Sequence, residues 1–201
     1  FAAASAATAA ARLRTDLGLG AVPGGQHPEH GTANWIVPFR PPQYLELLEI
    51  ADPAAAAASP LGVALTQVLA AGEGLCAWAV QDDDLDAAAR RLGVEPVAGH
   101  LNDPAGNLVG SWRTVADPSF ELPFFIGYDK DLLDVQNAFY AAAGHATAPA
   151  GIAWIEVGGD AARLREWLGP NDLPIRFVDG PPGPRALGVR VRDGDGEIVV
   201  R

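Results

Sequence analysis

Three helix-forming segments of this chain end in the same way and at nearly the same interval. "AAARLRTDLG" closes at Gly18, "DLDAAARRLG" at Gly93 and "DAARLREWLG" at Gly169, so the closing glycines are 75 (18 to 93) and 76 (93 to 169) residues apart. Each segment carries Ala, Leu and Arg at helical spacing and ends where a helix prefers glycine, the residue that enters the left-handed region cheaply. A fixed period is the mark of a repeated structural unit, and it limits the fold more than any other feature here.

The flanks repeat as well. "GLCAWAV" precedes the second helix and "GIAWIEV" the third, both short β-rich runs opened by glycine. Acidic residues follow each run, so Asp82, Asp83 or Asp84 can cap the second helix and Asp160 the third. Strand-like stretches come after every helix: "GLGAV", "ANWIVPF" and "QYLELLEI", then "EPVAG", "LVGSWRTV" and "ELPFFIGYD", then "PIRFVDG", "RALGVRVR" and "GEIVVR". Each unit reads β-α-β-β-β, with the opening strand of the first missing from the chain. This assigns a first unit to 1–50, a linker with a helix to 51–73, a second unit to 74–130, a second linker with a helix to 131–150, and a third unit to 151–201. The linker helices run from about Pro60 to Ala71 and over 132–143.

Composition narrows the partners. Of the 201 residues 49% are hydrophobic, enough for a substantial core, and the net charge is −11. Such a surface repels phosphate backbones, which argues against nucleic acid and against an anionic membrane surface. No stretch nears the roughly 20 apolar residues of a membrane span. The single cysteine, Cys76, lies in an apolar run and reads as a buried, reduced thiol, consistent with a cytoplasmic protein.

The stretch "PGGQHPEHGTANWIVPF", followed by "YLELLEIADP", "GLCAWAVQDDDLDAAARRLG" and "LPFFIGYD", resembles the glyoxalase-like domain family of the vicinal oxygen chelate (glyoxalase, bleomycin resistance and dioxygenase) superfamily. The resemblance implies an α+β fold of β-α-β-β-β units whose curved mixed sheets enclose a cleft. It implies a bacterial protein that binds a small organic molecule between units, as a lyase, isomerase or dioxygenase. The alternatives are a metal-free, drug-sequestering binder and an interaction module that forms a homodimer through the third unit. The implied cofactor is a divalent metal, and the position matching the closing-strand ligand is Glu46.

The residues themselves support part of this. Alternation puts Tyr44, Glu46 and Leu48 on one face of a strand, with Leu45, Leu47 and Glu49 on the other. A carboxylate among apolar neighbours is costly unless it is paired or bound, so Glu46 is the candidate metal ligand or general base; a wet cleft wall or an arginine partner would equally account for it. The second unit offers no histidine in "GLCAWAV" and has Gly127 where a second acid would stand, which weakens the metal reading. His27 and His30 are three apart across Pro28, a spacing that nothing in the sequence turns to one point. The glycine-rich stretch reads instead as a flexible loop at the cleft mouth, with His27 and Asn34 either touching a ligand or bracing the loop. Tyr44, Trp112, Phe125 and Tyr128 complete the expected lining, since aromatic walls with few polar groups suit a small apolar ligand. His145, just past a helix end, reads as a partner of the helix dipole.

Overall fold

In the computed structural model the three repeated helices begin on side-chain caps. Helix α1 (Ala6–Leu17) is capped by Ser5, whose side chain accepts from the Thr8 N–H, and ends at Gly18 with φ 69°. It is followed by three strands, β1 (Val22–His27), β2 (Thr32–Pro38) and β3 (Tyr44–Ile50), then by α2 (Pro53–Ala57) and α3 (Pro60–Ala71). The second repeat holds β4 (Ala79–Gln81), α4 (Leu85–Leu92), β5 (Val97–Asn102), β6 (Leu108–Val115) and β7 (Phe124–Tyr128). Helix α5 (Leu133–Ala142) leads to β8 (Pro149–Gly158), α6 (Ala161–Leu168), β9 (Ile175–Phe177), β10 (Gly183–Val191) and β11 (Glu197–Val200). The structure describes residues 1–102, 108–117, 121–128, 132–192 and 196–201; the boundary expected at 130/131 lies outside them.

Asp84 caps α4 through the Ala87 N–H, and Asp160 caps α6 through the N–H groups of Ala162 and Arg163. A cap removed this way costs a helix about 1 kcal/mol. Asp160→Ala is therefore expected to lower the stability of the protein by about that amount in chemical denaturation, and Asp160→Asn by much less.

The chain divides into two compact units, one of Phe1–Cys76, Leu133–Ile155 and Arg185–Arg201, the other of Ala77–Leu132 and Glu156–Pro184. In the first, β1, β2 and β3 form an antiparallel sheet in that order. The place of an opening strand is taken by Phe1–Ala3: Ala2 bridges Leu48 in parallel, the Ala3 N–H donates to the Leu48 carbonyl, and the Leu48 N–H donates to the Phe1 carbonyl. These first residues are too few and too alanine-rich to announce a strand by pattern. Glu73 anchors the next residue, and the Ala4 N–H and the Arg12 guanidinium hold its carboxyl below the usual carboxylate range.

In the second unit the strands run β4-β7-β6-β5, with β4 parallel to β7. This sets the opening strand beside the closing one, the same arrangement that Ala2 and Leu48 make in the first. The last sheet has the order β11-β10-β8-β9. Its elements follow the repeated sequence of types, whereas its opening strand β8 sits between β10 and β9. The repeat therefore extends to element type in all three cases and to strand order in two.

Cys76 is half-buried, not buried as its apolar neighbours suggest. The run "GLCAWAV" becomes regular strand only from Ala79, so its first residues sit outside the sheet.

Candidate functional site

The two faces of the first sheet are chemically different. Leu45 and Leu47 are buried, with Leu47 fully so, and α1 lies against β2 and β3 through Ala6, Ala9, Ala10 and Leu13. Glu49 belongs to that same face and serves the helix: its Oε2 accepts the Ala6 N–H at 2.6 Å, satisfying a free donor in the first turn of α1. Tyr44, Glu46 and Leu48 face the other way and are half-buried.

On this second face the register sets Ile36 opposite Glu46 and Asn34 opposite Leu48. Asn34 reaches diagonally, and its Nδ2 donates to Glu46 Oε1. Its Oδ1 accepts the Gly25 N–H at 2.6 Å. The amide thus uses both ends, fixing the carboxylate with one and strand β1 with the other. A Cβ at Gly24 would lie 2.0 Å from Asn34 Oδ1, so any larger residue there would displace the amide. Among the described residues Glu46 has no ion-pair partner, which removes the arginine-paired reading of this side chain.

The glycine-rich stretch is not the loop that its composition suggests. Val22–His27 is strand, irregular between Pro23 and Gln26, and the turn is confined to Pro28–Gly31. A proline and two glycines fit because β1 is the edge strand of its sheet, where a missing donor or an extra bend is tolerated. That irregularity is what brings the Gly25 N–H to Asn34.

The histidines of this hairpin turn to separate partners. His27 Nδ1 lies 3.0 Å from Thr32 Oγ1, and His30 Nδ1 lies 2.9 Å from Ser59 Oγ, the hydroxyl that also caps α3. His27 therefore braces the hairpin end. Among the described residues no group of three or more His, Cys, Asp or Glu side chains could hold a metal ion. Zinc takes three or four N, O or S ligands, and Glu46 with an amide neighbour does not supply that set.

The second-unit aromatics divide by strand period. Trp112 pairs with Tyr128 across β6 and β7, so those two share a face, and the Trp112 ring lies over Gly99, where a Cβ would meet Nε1 at 2.4 Å. Phe125 is an odd number of residues from Tyr128 and must face the opposite way. It is 3% exposed, 6.2 Å from the Trp167 ring, with the Arg91 guanidinium 5.8 Å above it. Phe125 is a core residue, whereas Trp112 and Tyr128 share the other face of that sheet.

His145, expected to complement a helix dipole, is held by specific partners. Its Nδ1 accepts the Gly20 N–H at 3.0 Å, its ring lies 5.2 Å from that of Tyr140, and its Nε2 is buried without a hydrogen bond of ordinary geometry. Burial is the largest influence on it and holds its pKa below the usual histidine range; the Pro38 carbonyl beside it opposes that shift and the Arg14 charge adds to it. No periodicity or motif marks such a residue, because Arg14, Gly20 and Pro38 are remote along the chain and only Tyr140 is near.

Paired modules of strand, helix and three strands, with the opening strand lying parallel to the closing one, define a protein of the vicinal oxygen chelate fold. The model of the glyoxalase-like domain family matches residues 1–170, and the chain belongs to that family. Among solved structures, a hypothetical protein from Staphylococcus aureus is similar with a TM-score of 0.62 and 17% identity, over 85% of this chain and 80% of that one. A methylmalonyl-CoA epimerase from Streptomyces coelicolor, in complex with 2-nitronate-propionyl-CoA, is similar with a TM-score of 0.43 and 19% identity, over 62% of this chain and 85% of that one. Comparison with curated proteins gave no match. No helix among the described residues is long and apolar enough to cross a membrane.

Proposed function

We propose that the face of β1–β3 that carries Glu46 binds a small organic molecule and that Glu46 is the group that engages it, by accepting a hydrogen bond or a proton. One observation carries this reading: Glu46 is half-buried beside Ile36, Leu48 and Tyr44, its carboxylate makes no ion pair among the described residues, and it is held in place by the Asn34 amide. Asn34 occupies Oε1, which leaves Oε2 for a ligand. An acid kept among apolar groups and oriented by a neutral donor suits a general base, since among the described residues no ion pair engages its carboxylate. Membership of the glyoxalase-like family supports a small-molecule role over a structural one.

The reaction type that fits is proton transfer at a carbon next to a carbonyl, the first step of an isomerase or lyase. The same face without chemistry is a binding protein of the sequestering kind, and the donor set, which among the described residues groups no three His, Cys, Asp or Glu side chains for a metal, favours keeping that reading beside the first. A half-buried free thiol at Cys76 and the acidic surface support a cytoplasmic setting.

Both readings require a ligand that depends on Glu46. A panel of small compounds bearing adjacent oxygens, tested by thermal shift, is expected to contain members that stabilise the parent protein; at a hundred times Kd the gain is about 2.7 kcal/mol. Glu46→Ala is expected to lose that gain. A compound that stabilises Glu46→Ala as strongly as the parent binds elsewhere, and the proposal then fails.

A further inference from the structure

Helix α5 and the segment that follows it lie across one end of this face. Phe139 and Ala143 pack with Val22, Ile36 and Tyr44, and Ile36 is the cross-strand neighbour of Glu46. The segment is tied to the turn after α1 by backbone and side-chain bonds. The N–H groups of Ala146 and Thr147 donate to the Gly18 carbonyl at 2.9 and 3.2 Å, the Thr147 hydroxyl donates to it at 3.2 Å, and Arg14 Nη1 donates to the Ala143 carbonyl at 3.2 Å. The Tyr140 hydroxyl closes the other side on the Pro149 carbonyl at 3.0 Å. At the centre stands His145, accepting from Gly20, whose own lack of a Cβ lets the Ala143 carbonyl approach: a Cβ there would lie 2.0 Å from that oxygen.

We infer that residues 133–149 form an acid-released strap over the Glu46 face, with His145 as its latch. The bond from Gly20 requires His145 Nδ1 to be an acceptor, which fixes the neutral ring with its hydrogen on Nε2. A second proton would have to go on Nδ1. There it would face the Gly20 N–H, so that two donors oppose each other and the bond is lost. The charged group facing the ring is the Arg14 guanidinium, which repels an imidazolium. Its remaining neighbours, the Tyr140 ring and the backbone of Gly20 and Pro38, carry no charge to compensate. Burial adds the desolvation cost of a cation.

The direction of the pH effect follows. The closed strap holds His145 with a lowered proton affinity, whereas an opened one returns it to the ordinary value near 6.5. Above that pH both states are neutral and the latch is intact. Below it the open state gains a proton that the closed state resists, so acid favours opening. Opening frees Ile36 and Tyr44 beside Glu46 and does not depend on what Glu46 does chemically.

Hydrogen–deuterium exchange of peptides within 133–149, corrected for the intrinsic rate, tests this. The opening equilibrium is expected to rise about tenfold for each pH unit below about 6.5, while β2 and β3 keep their protection. His145→Gln, whose amide oxygen can accept from Gly20 and cannot be protonated, is expected to show a flat profile. Should that variant fail to fold, nuclear magnetic resonance titration of the parent decides instead: the His145 ring and the Gly20 amide must move together, with a midpoint below 6.5. Exchange in the parent that ignores pH, an unchanged acid response in His145→Gln, or a His145 midpoint at 6.5 or above would overturn the inference.

Discussion

Glu46→Gln is expected to slow deuterium wash-in at the acidic carbon of a bound carbonyl compound by about 10² to 10⁴-fold, the magnitude of a general base removed from a proton-transfer step, while leaving the fold intact. Glutamine keeps the shape of the side chain and an oxygen that can still receive the Asn34 Nδ2 hydrogen bond, so the hairpin brace through Asn34 to Gly25 survives. What it lacks is a lone pair basic enough to take the proton at Oε2. Glu49→Gln on the same strand is the matched control. That carboxylate is committed to the Ala6 N–H on the opposite face, so its loss should cost some stability at the α1 terminus and leave wash-in unaltered. The measurement is a proton resonance lost in deuterated buffer, followed for the three proteins with whichever compound binds. Wash-in that persists in Glu46→Gln would show that another group takes the proton. A parent protein that binds the compound and exchanges nothing would leave the sequestering reading in place.

Features encoded by neighbouring residues are legible in the chain. The caps at Asp84 and Asp160, the glycine at the end of each repeated helix, and the span Pro60–Ala71 of α3 are of this kind, and the structure has them where the sequence puts them. Period two correctly separates Glu46 from Glu49. The same rule separates Phe125 from Tyr128, but aromatic character alone groups them as lining, and Phe125 belongs to the core. Strand β1 is hidden because its glycines and proline look like a loop until an edge position and a register irregularity are known, and both are properties of the sheet. The Asn34–Glu46 pair is 12 residues apart and within reach of a hairpin register; finding it requires the turn between Pro38 and Tyr44 and the β2–β3 pairing to be placed first. The strap over the site is beyond any local signal, since Gly18 and Thr147 are 129 positions apart.

Gly31→Ala is expected to cost about 3 kcal/mol in chemical denaturation, from a conformational cost and a clash combined. Gly31 has φ 64°, a left-handed conformation that costs an L-residue about 1–2 kcal/mol. The added Cβ would also lie 2.3 Å from the Ala56 nitrogen and 2.4 Å from the Asp52 oxygen, and both are backbone atoms of the α2 terminus that cannot swing away. Forcing such an overlap typically costs about 1–3 kcal/mol through backbone shifts. The Gly31 carbonyl also accepts the N–H groups of Ala51 and Asp52, at 2.9 and 3.0 Å, so a shift would loosen the end of β3 that follows Glu46 and Leu48. Gly93 separates the two costs. Its φ of 66° is nearly identical, and a Cβ there meets nothing within 4 Å. Gly93→Ala should therefore show the conformational cost alone, about 1–2 kcal/mol, and the difference between the two variants measures the clash. Equal losses would mean that α2 yields to the methyl group at little cost. The hairpin turn would then not be locked to the helix that follows β3, and the rigidity assigned to the Asn34–Glu46 pair would have to come from the sheet pairing alone.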